Sequence, residues 1–231
     1  MTLKKKLTAL ALSAALALGL CACGGGEKES LSSFDAKVYM DGLLRETYLG
    51  EYLPEYLELV GITESEAEYA YQTSLNVEVS NCLYYFDIDY PTDELRSDLN
   101  KLYKQIYSHA RFEVTSAVEQ EDGSYAVKVS VEPVDTIRLA EDKWEGALKE
   151  FYEKYPGDVQ NAMTDEEYEA MDKEHAAIVL EVLQGVVEDT GNLPAEEILV
   201  QITRDEEGVY SLSATEFQKI DDRIIDYPVQ E

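Results

Sequence analysis

Apolar residues recur every three or four positions along most of the chain, which is the spacing of amphipathic α-helices. In the first such stretch the apolar positions are Ala36, Tyr39, Met40 and Leu43. Read in this way, the pattern predicts helices over 34–49, over 51–60, after Thr63, after Thr92, over 139–155, from Thr164 to about 191, and from Thr215.

Two of these helix starts carry a capping box, in which a Thr side chain and a Glu three residues later satisfy each other's backbone N–H groups. The pairs are Thr63 with Glu66 and Thr164 with Glu167. Because this signal is local, it places both helix starts without any knowledge of the rest of the fold.

Alternation of apolar and polar residues, typical of half-buried strands, occurs on both sides of two turns. The alternating runs are 112–118 with 125–131, and 198–202 with 209–214. The first pair flanks Asp122-Gly123, and Asp-Gly between alternating runs strongly favours a β-hairpin. Whether the two helix–hairpin units are a duplication, or the ordinary chemistry of caps and turns used twice, stays open.

The combined pattern predicts an α+β fold, in which amphipathic helices pack on one face of a four-stranded antiparallel sheet built from the two hairpins. Cystatin-like and nuclear-transport-factor-like folds are known shapes that fit. The residues expected to be buried against the helices are Phe112, Val114, Val127, Val129, Val200 and Ile202.

The first 22 residues have the layout of a secretory signal peptide. Lys4, Lys5 and Lys6 precede an apolar run over 7–20, which is shorter than the ~20 residues that span a bilayer. We therefore expect a leader over 1–22, a flexible Gly/Ser tether over 23–33, and one α+β domain over 34–231 with a helical N-terminal part over 34–90.

Leu20-Cys21-Ala22-Cys23 resembles the lipobox of bacterial lipoproteins, with Leu at −3 and a small residue at −1. The resemblance implies that Cys23 is lipidated and anchors the protein to the outer face of the cytoplasmic membrane. Cys21 is the competing position, but Leu20 would then stand at −1, where a small residue is expected.

The chain is strongly acidic, with a net charge of −29 that becomes −32 when the three lysines leave with the leader. Such a surface excludes nucleic acid as a partner, because its binding requires basic groups against phosphates. It also gains nothing from anionic lipid headgroups. A cationic or glycan partner is compatible with it, and the sequence makes no prediction of an oligomeric state.

Residues typical of catalytic and metal sites are scarce. His109 and His175 are the only histidines, and His175 lies on an apolar helical stripe, as Cys82 does. No metal-binding, phosphate-binding or nucleophile motif is present, so we predict no catalytic residue, cofactor or metal. The acidic run that begins at Asp87-x-Asp89 lacks the glycine of an EF-hand loop.

Seventeen tyrosines are a second unusual feature, and they cluster over 39–56 and 69–90. Tyrosine serves binding surfaces well, although amphipathic helices also use it at the edge of a core. Tyr84, Tyr85 and Tyr90 are the candidate binding residues.

The N-terminal pattern resembles that of uncharacterised Gram-positive lipoproteins with a helix-rich domain of unknown function. The matching residues are Phe34-Asp35-Ala36, Tyr39, Leu43 and Tyr48-Leu49-Gly50. That family offers no catalytic residues. The sequence thus favours a membrane-anchored binding or interaction module, and the alternative is a cell-envelope hydrolase that uses paired carboxylates.

Overall fold

The computed structural model describes residues 33–206 and 208–228. The predicted leader over 1–22, nearly all of the tether and Cys23 lie outside these residues. Within them the helices are α1 Ser33–Leu44, α2 Pro54–Val60, α3 Glu64–Tyr85, α4 Asp93–Tyr107, α5 Thr136–Lys154, α6 Gly157–Gln160, α7 Asp165–Gln184 and α8 Ala214–Ile224. The strands are β1 Arg111–Glu119, β2 Tyr125–Glu132, β3 Glu196–Arg204 and β4 Tyr210–Leu212.

The four strands form one antiparallel sheet in the order β1-β2-β3-β4, which confirms the predicted α+β fold class. Helix α1 packs on β1 and β2, and α8 packs on β2 and β3. The covered face of β2 consists of Tyr125, Val127, Val129 and Val131, all buried. The residues between them on β2 remain partly exposed.

The predicted sheet core is buried, with Val114, Val127, Val129, Val200 and Ile202 at 9% exposure or less. Phe112 packs against this core but is only partly buried. The alternation expected along β1 is wrong beyond Val114, because a bulge at Thr115 shifts the register. The extra residue turns Ala117 toward Val127 and leaves Val118 55% exposed.

The helix predicted over 34–49 changes geometry part of the way along. Helix α1 ends at Leu44, and a π-helical turn follows at Arg45–Leu49. This wider turn carries both Glu46 and Tyr48 into the interior, and it ends at Gly50, which adopts φ 62°. Gly42 is needed in α1 because the ring of Tyr56 lies where a Cβ would stand.

Both capping boxes form as predicted, at Thr63 with Glu66 and at Thr164 with Glu167. Other boundaries differ from the prediction: α2 starts at Pro54 rather than at 51, α5 starts at Thr136 rather than at 139, and α7 ends at Gln184 rather than near 191. A short helix that was not predicted, α6, follows Pro156. Helices α3 and α4 pack together, α7 packs on α4 and α5, and one cluster of buried residues runs from Ala36 to Ile225.

Candidate functional site

A cleft of about 310 Å³ opens where α3 ends and the chain turns into α4. Its walls come from the last turn of α3, the connecting loop and the first turns of α4. The residues that line it are Ser80, Leu83, Tyr84, Asp87, Ile88, Asp89, Pro91 and Arg96.

The loop at the cleft takes its shape from the way α3 ends. The Ile88 N–H donates to Leu83 O at 2.8 Å and the Asp87 N–H donates to Tyr84 O at 3.2 Å, which are the paired hydrogen bonds of a Schellman motif. Asp87 occupies the left-handed position at φ 52°, where glycine is usual. Ile88 is then buried, so the loop is fixed to the core at this point.

Helix α7 holds the next residues of the same loop. The buried carboxylate of Asp172 accepts hydrogen bonds from Asp89 N at 3.1 Å and from Tyr90 N at 2.8 Å. The Tyr168 hydroxyl donates to Asp89 Oδ2 at 3.1 Å, and its ring meets that of Tyr90 edge to face at 6.0 Å. The loop that forms one wall of the cleft is therefore held both by Ile88 in the core and by Asp172 on α7.

The structure separates the three tyrosines that the sequence groups as candidate binding residues. Tyr84 is 57% exposed in the cleft wall, and Tyr90 is 41% exposed beside it. Tyr85 lies in the core instead, where its hydroxyl donates to Pro228 O at 3.0 Å and its ring packs edge to face on Phe86 and Tyr227. Two of the three are thus on the surface, one in the cleft wall and one on the loop that forms part of it.

A second constellation, not foreseen from the sequence, is a largely buried group of carboxyls and tyrosines beneath α3, in which Asp221 and Tyr227 are partly exposed. Tyr227 Oη donates to Glu78 Oε1 at 2.5 Å, and the Tyr227 and Tyr103 hydroxyls lie 2.7 Å apart. Tyr48 Oη donates to Asp221 Oδ1 at 2.8 Å. The signal that could have revealed it is Glu78 itself, which stands on the apolar stripe of α3 between Leu75 and Cys82.

Burial changes the acidity of this group. It raises the pKa of Glu78 to about 7, with the Asp221 charge adding to the effect and the hydrogen bond from Tyr227 acting against it. Burial also raises the pKa of Asp221, while the hydrogen bond from Tyr48 lowers it. Neither carboxyl lines the cleft beside Tyr84.

Glu46 is another buried carboxyl, 2% exposed on the π-helical turn. Burial raises its pKa to about 7 against the lowering effect of the nearby Tyr56 hydroxyl. That hydroxyl is too poorly placed for a regular hydrogen bond, and Glu46 Oε2 has no such partner among the described residues. It is remote in sequence from the cleft and lines no part of it.

Cys82 and His175, the other residues considered from the sequence, have the surroundings of residues that stabilise the fold. Cys82 is fully buried, and burial raises the pKa of its thiol to about 12. Burial lowers the pKa of His175, which is half-buried with its ring 5.3 Å from that of Phe151. Among residues 33–206 and 208–228, no three His, Cys, Asp or Glu side chains are arranged to hold a metal ion.

The fold and the cleft define an α+β protein with an open antiparallel sheet and a tyrosine-bearing cleft at the end of a long helix. No protein-family model and no curated protein matches the chain. None of the helices in the described part is long and apolar enough to cross a bilayer.

One similar solved structure is that of ycdA from Bacillus subtilis, a protein assigned as a lipoprotein. The two share 14% sequence identity and superpose with a TM-score of 0.55. The match covers 84% of this chain and 56% of the Bacillus protein, so the chain spans little more than half of that structure. At this identity the likeness shows a common fold.

Proposed function

We propose that this protein is a lipid-anchored, extracytoplasmic module that binds a ligand or partner through the cleft beside Tyr84 and Tyr90. The observation that carries the binding role is the exposure of Tyr84, in the last turn of α3, and of Tyr90, on the loop that Asp172 and Ile88 fix to the core. The Tyr90 ring already packs against Tyr168, and a ring that is held in place loses little conformational freedom when a ligand covers it. The lipobox-like sequence and the resemblance to the fold of a Bacillus lipoprotein support the anchored location.

The anchor has to act without electrostatic help. At a net charge of −32 after leader removal, the body is repelled by anionic headgroups, which attract basic segments. Each buried methylene contributes about 0.8 kcal/mol, so two acyl chains hold a protein stably where one binds only reversibly. The tether of eleven residues would reach at most ~36 Å, which keeps the folded body close to the membrane.

Membrane fractionation tests the anchor. Cys23→Ala should release the protein from the membrane fraction or leave it unprocessed, while the matched variant Cys21→Ala should behave as the wild type. High salt should fail to extract the wild type and detergent should succeed. A normally cleaved Cys23→Ala protein that stays in the membrane fraction would contradict the anchor.

A hydrolase that works through paired carboxylates is the second candidate function, because burial raises the pKa values of both Glu78 and Asp221. A dye-linked neutral polysaccharide distinguishes it from a binding module. Release of dye by the wild type and its loss in Glu78→Gln would favour the hydrolase. Retention of the polysaccharide without release of dye would favour the binding module.

A further inference from the structure

Much of helix α3 carries little charge, although the chain as a whole is strongly acidic. From Tyr69 to Phe86 the sequence contains no Asp, Lys, Arg or His and a single Glu, Glu78, which is buried. At the average of 29% charged residues, a stretch of this length would carry about five. The exposed side of α3 is therefore free of charge over about four turns.

Five residues at helical spacing form this exposed face, and we call them the tyrosine ridge: Tyr69, Thr73, Asn76, Ser80 and Tyr84. The two rings at its ends are 77% and 57% exposed. Fifteen residues separate them, which is about 22 Å along a helix. Between the rings the ridge presents only hydroxyl and amide groups.

The polar groups of the ridge are held in place by short-range hydrogen bonds. The hydroxyls of Thr73 and Ser80 donate to Tyr69 O and Asn76 O, both at 2.9 Å. Asn100 on α4 donates to the Asn76 side-chain oxygen at 3.1 Å. The hydroxyl oxygens keep their acceptor lone pairs, and the Asn76 amide keeps its N–H donors.

Charge at the two ends of the ridge argues against a second copy of this chain as its partner. Glu64, Glu66 and Glu68 precede the ridge, and Asp87, Asp89, Asp93 and Glu94 follow it. Two copies placed ridge to ridge would bring carboxylates together in either direction, and like charges in contact are unfavourable. A cationic partner would be drawn to those ends rather than to the uncharged middle.

A large protein partner is also a poor match. Protein interfaces have a central apolar core and commonly bury about 800 Å² on each side. The tyrosine ridge instead has hydroxyls and an amide at its centre and its two aromatic rings at its ends. A sugar chain is complementary to such a surface, because it offers apolar ring faces and hydroxyl groups in alternation and carries no charge.

We propose that the tyrosine ridge binds an uncharged glycan chain. The rings of Tyr69 and Tyr84 stack on the apolar faces of two sugar rings, and Thr73, Asn76 and Ser80 hydrogen-bond to the hydroxyls between them. The ridge ends in the cleft at Tyr84 and Ser80, so this inference rests on the proposed binding function and names the class of its ligand.

Binding of the full-length protein to soluble oligomers of N-acetylglucosamine tests the proposal by calorimetry. The protein should be held in a detergent without a sugar headgroup, because a glycoside would compete. Tyr69→Ala and Tyr84→Ala should each weaken binding by about tenfold, and Tyr84→Phe should retain most of it. Tyr152→Ala is the matched control, because Tyr152 is 56% exposed on α5 and not part of the ridge.

Two further probes separate this proposal from the binding function itself. Polygalacturonate is the anionic counterpart and should not bind. Oligolysine binding without N-acetylglucosamine binding would overturn the glycan assignment while leaving a binding module with a cationic ligand. Unchanged binding in both alanine variants, absence of binding to the neutral oligomer, or a dimer that Tyr69→Ala dissociates in sedimentation experiments would each overturn the proposal.

Discussion

Replacing Glu78 with Gln should make the stability of this protein less dependent on pH. Glu78 is 7% exposed, and burial raises its pKa from the usual 4.5 to about 7. The folded protein therefore holds a proton on Glu78 over a pH range in which the unfolded chain has lost it. The free energy of unfolding must fall as the pH rises through that range, between about 4.5 and 7.

The magnitude follows from the two pKa values. Each tenfold change in proton affinity corresponds to about 1.4 kcal/mol, so the rise to about 7 lowers the stability by about 3 kcal/mol at pH values above both. Glutamine has no charge at any pH and can still accept the hydrogen bond from Tyr227. The Asn81 amide, 3.3 Å from Glu78 Oε2, would have to rotate to present its oxygen to the new NH₂ group.

Urea denaturation of the wild type and Glu78→Gln over about pH 5 to 8 measures the effect. As the pH rises, the free energy of unfolding of the wild type should fall relative to that of Glu78→Gln by about 1–3 kcal/mol. Glu68→Gln is the matched control, since Glu68 is exposed on the same helix. Parallel stability curves for the wild type and Glu78→Gln would refute the reasoning, because Glu78 would then be ionised in the folded protein as it is in the unfolded chain.

Three other outcomes are expected. Gly42→Ala should destabilise the fold by about 3 kcal/mol, since its Cβ would lie 2.1 Å from Tyr56 Cγ. Thermal unfolding measures the loss, and Gly146→Ala is the control because a Cβ there meets open space. The Cys82 thiol, buried with its pKa raised to about 12, should react with a thiol reagent only at the rate of unfolding, and fast labelling in the native state would contradict its burial. Val127→Ala should cost on the order of 1–4 kcal/mol in chemical denaturation, because Val127 is fully buried in the middle of the sheet; a change near zero would mean that the helices do not cover β2.

The features predictable from the sequence are those with a local cause. The capping boxes at Thr63 and Thr164 form because both partners lie within one helical turn. The first hairpin forms around Gly123, which adopts φ 79°. The inward residues of β2 follow from alternation alone, because nothing interrupts that strand.

The features missed depend on packing between distant segments. The bulge at Thr115 and the π-helical turn at Arg45–Leu49 each alter which side chains face inward, and neither has a composition signal. Of the three tyrosines that the sequence proposes as binding residues, Tyr84 and Tyr90 are exposed and Tyr85 is buried, because neighbouring residues on a helix point in different directions. Asp172 shapes the cleft from 82 residues away.

The hydrogen bonds that join the N-terminal helices to the C-terminal segment have a consequence for the order in which the chain folds. Tyr48 meets Asp221 across 173 residues, Glu78 meets Tyr227 across 149, and Tyr85 meets Pro228 across 143. Contacts between residues this distant in sequence form late and make folding slow, because a long loop must close before they can form. A chain emerging N-terminus first, from a ribosome or through a membrane pore, would leave Glu78 without the Tyr227 hydroxyl until almost all of it had passed. The α3 region would therefore reach its final packing only at the end of that passage.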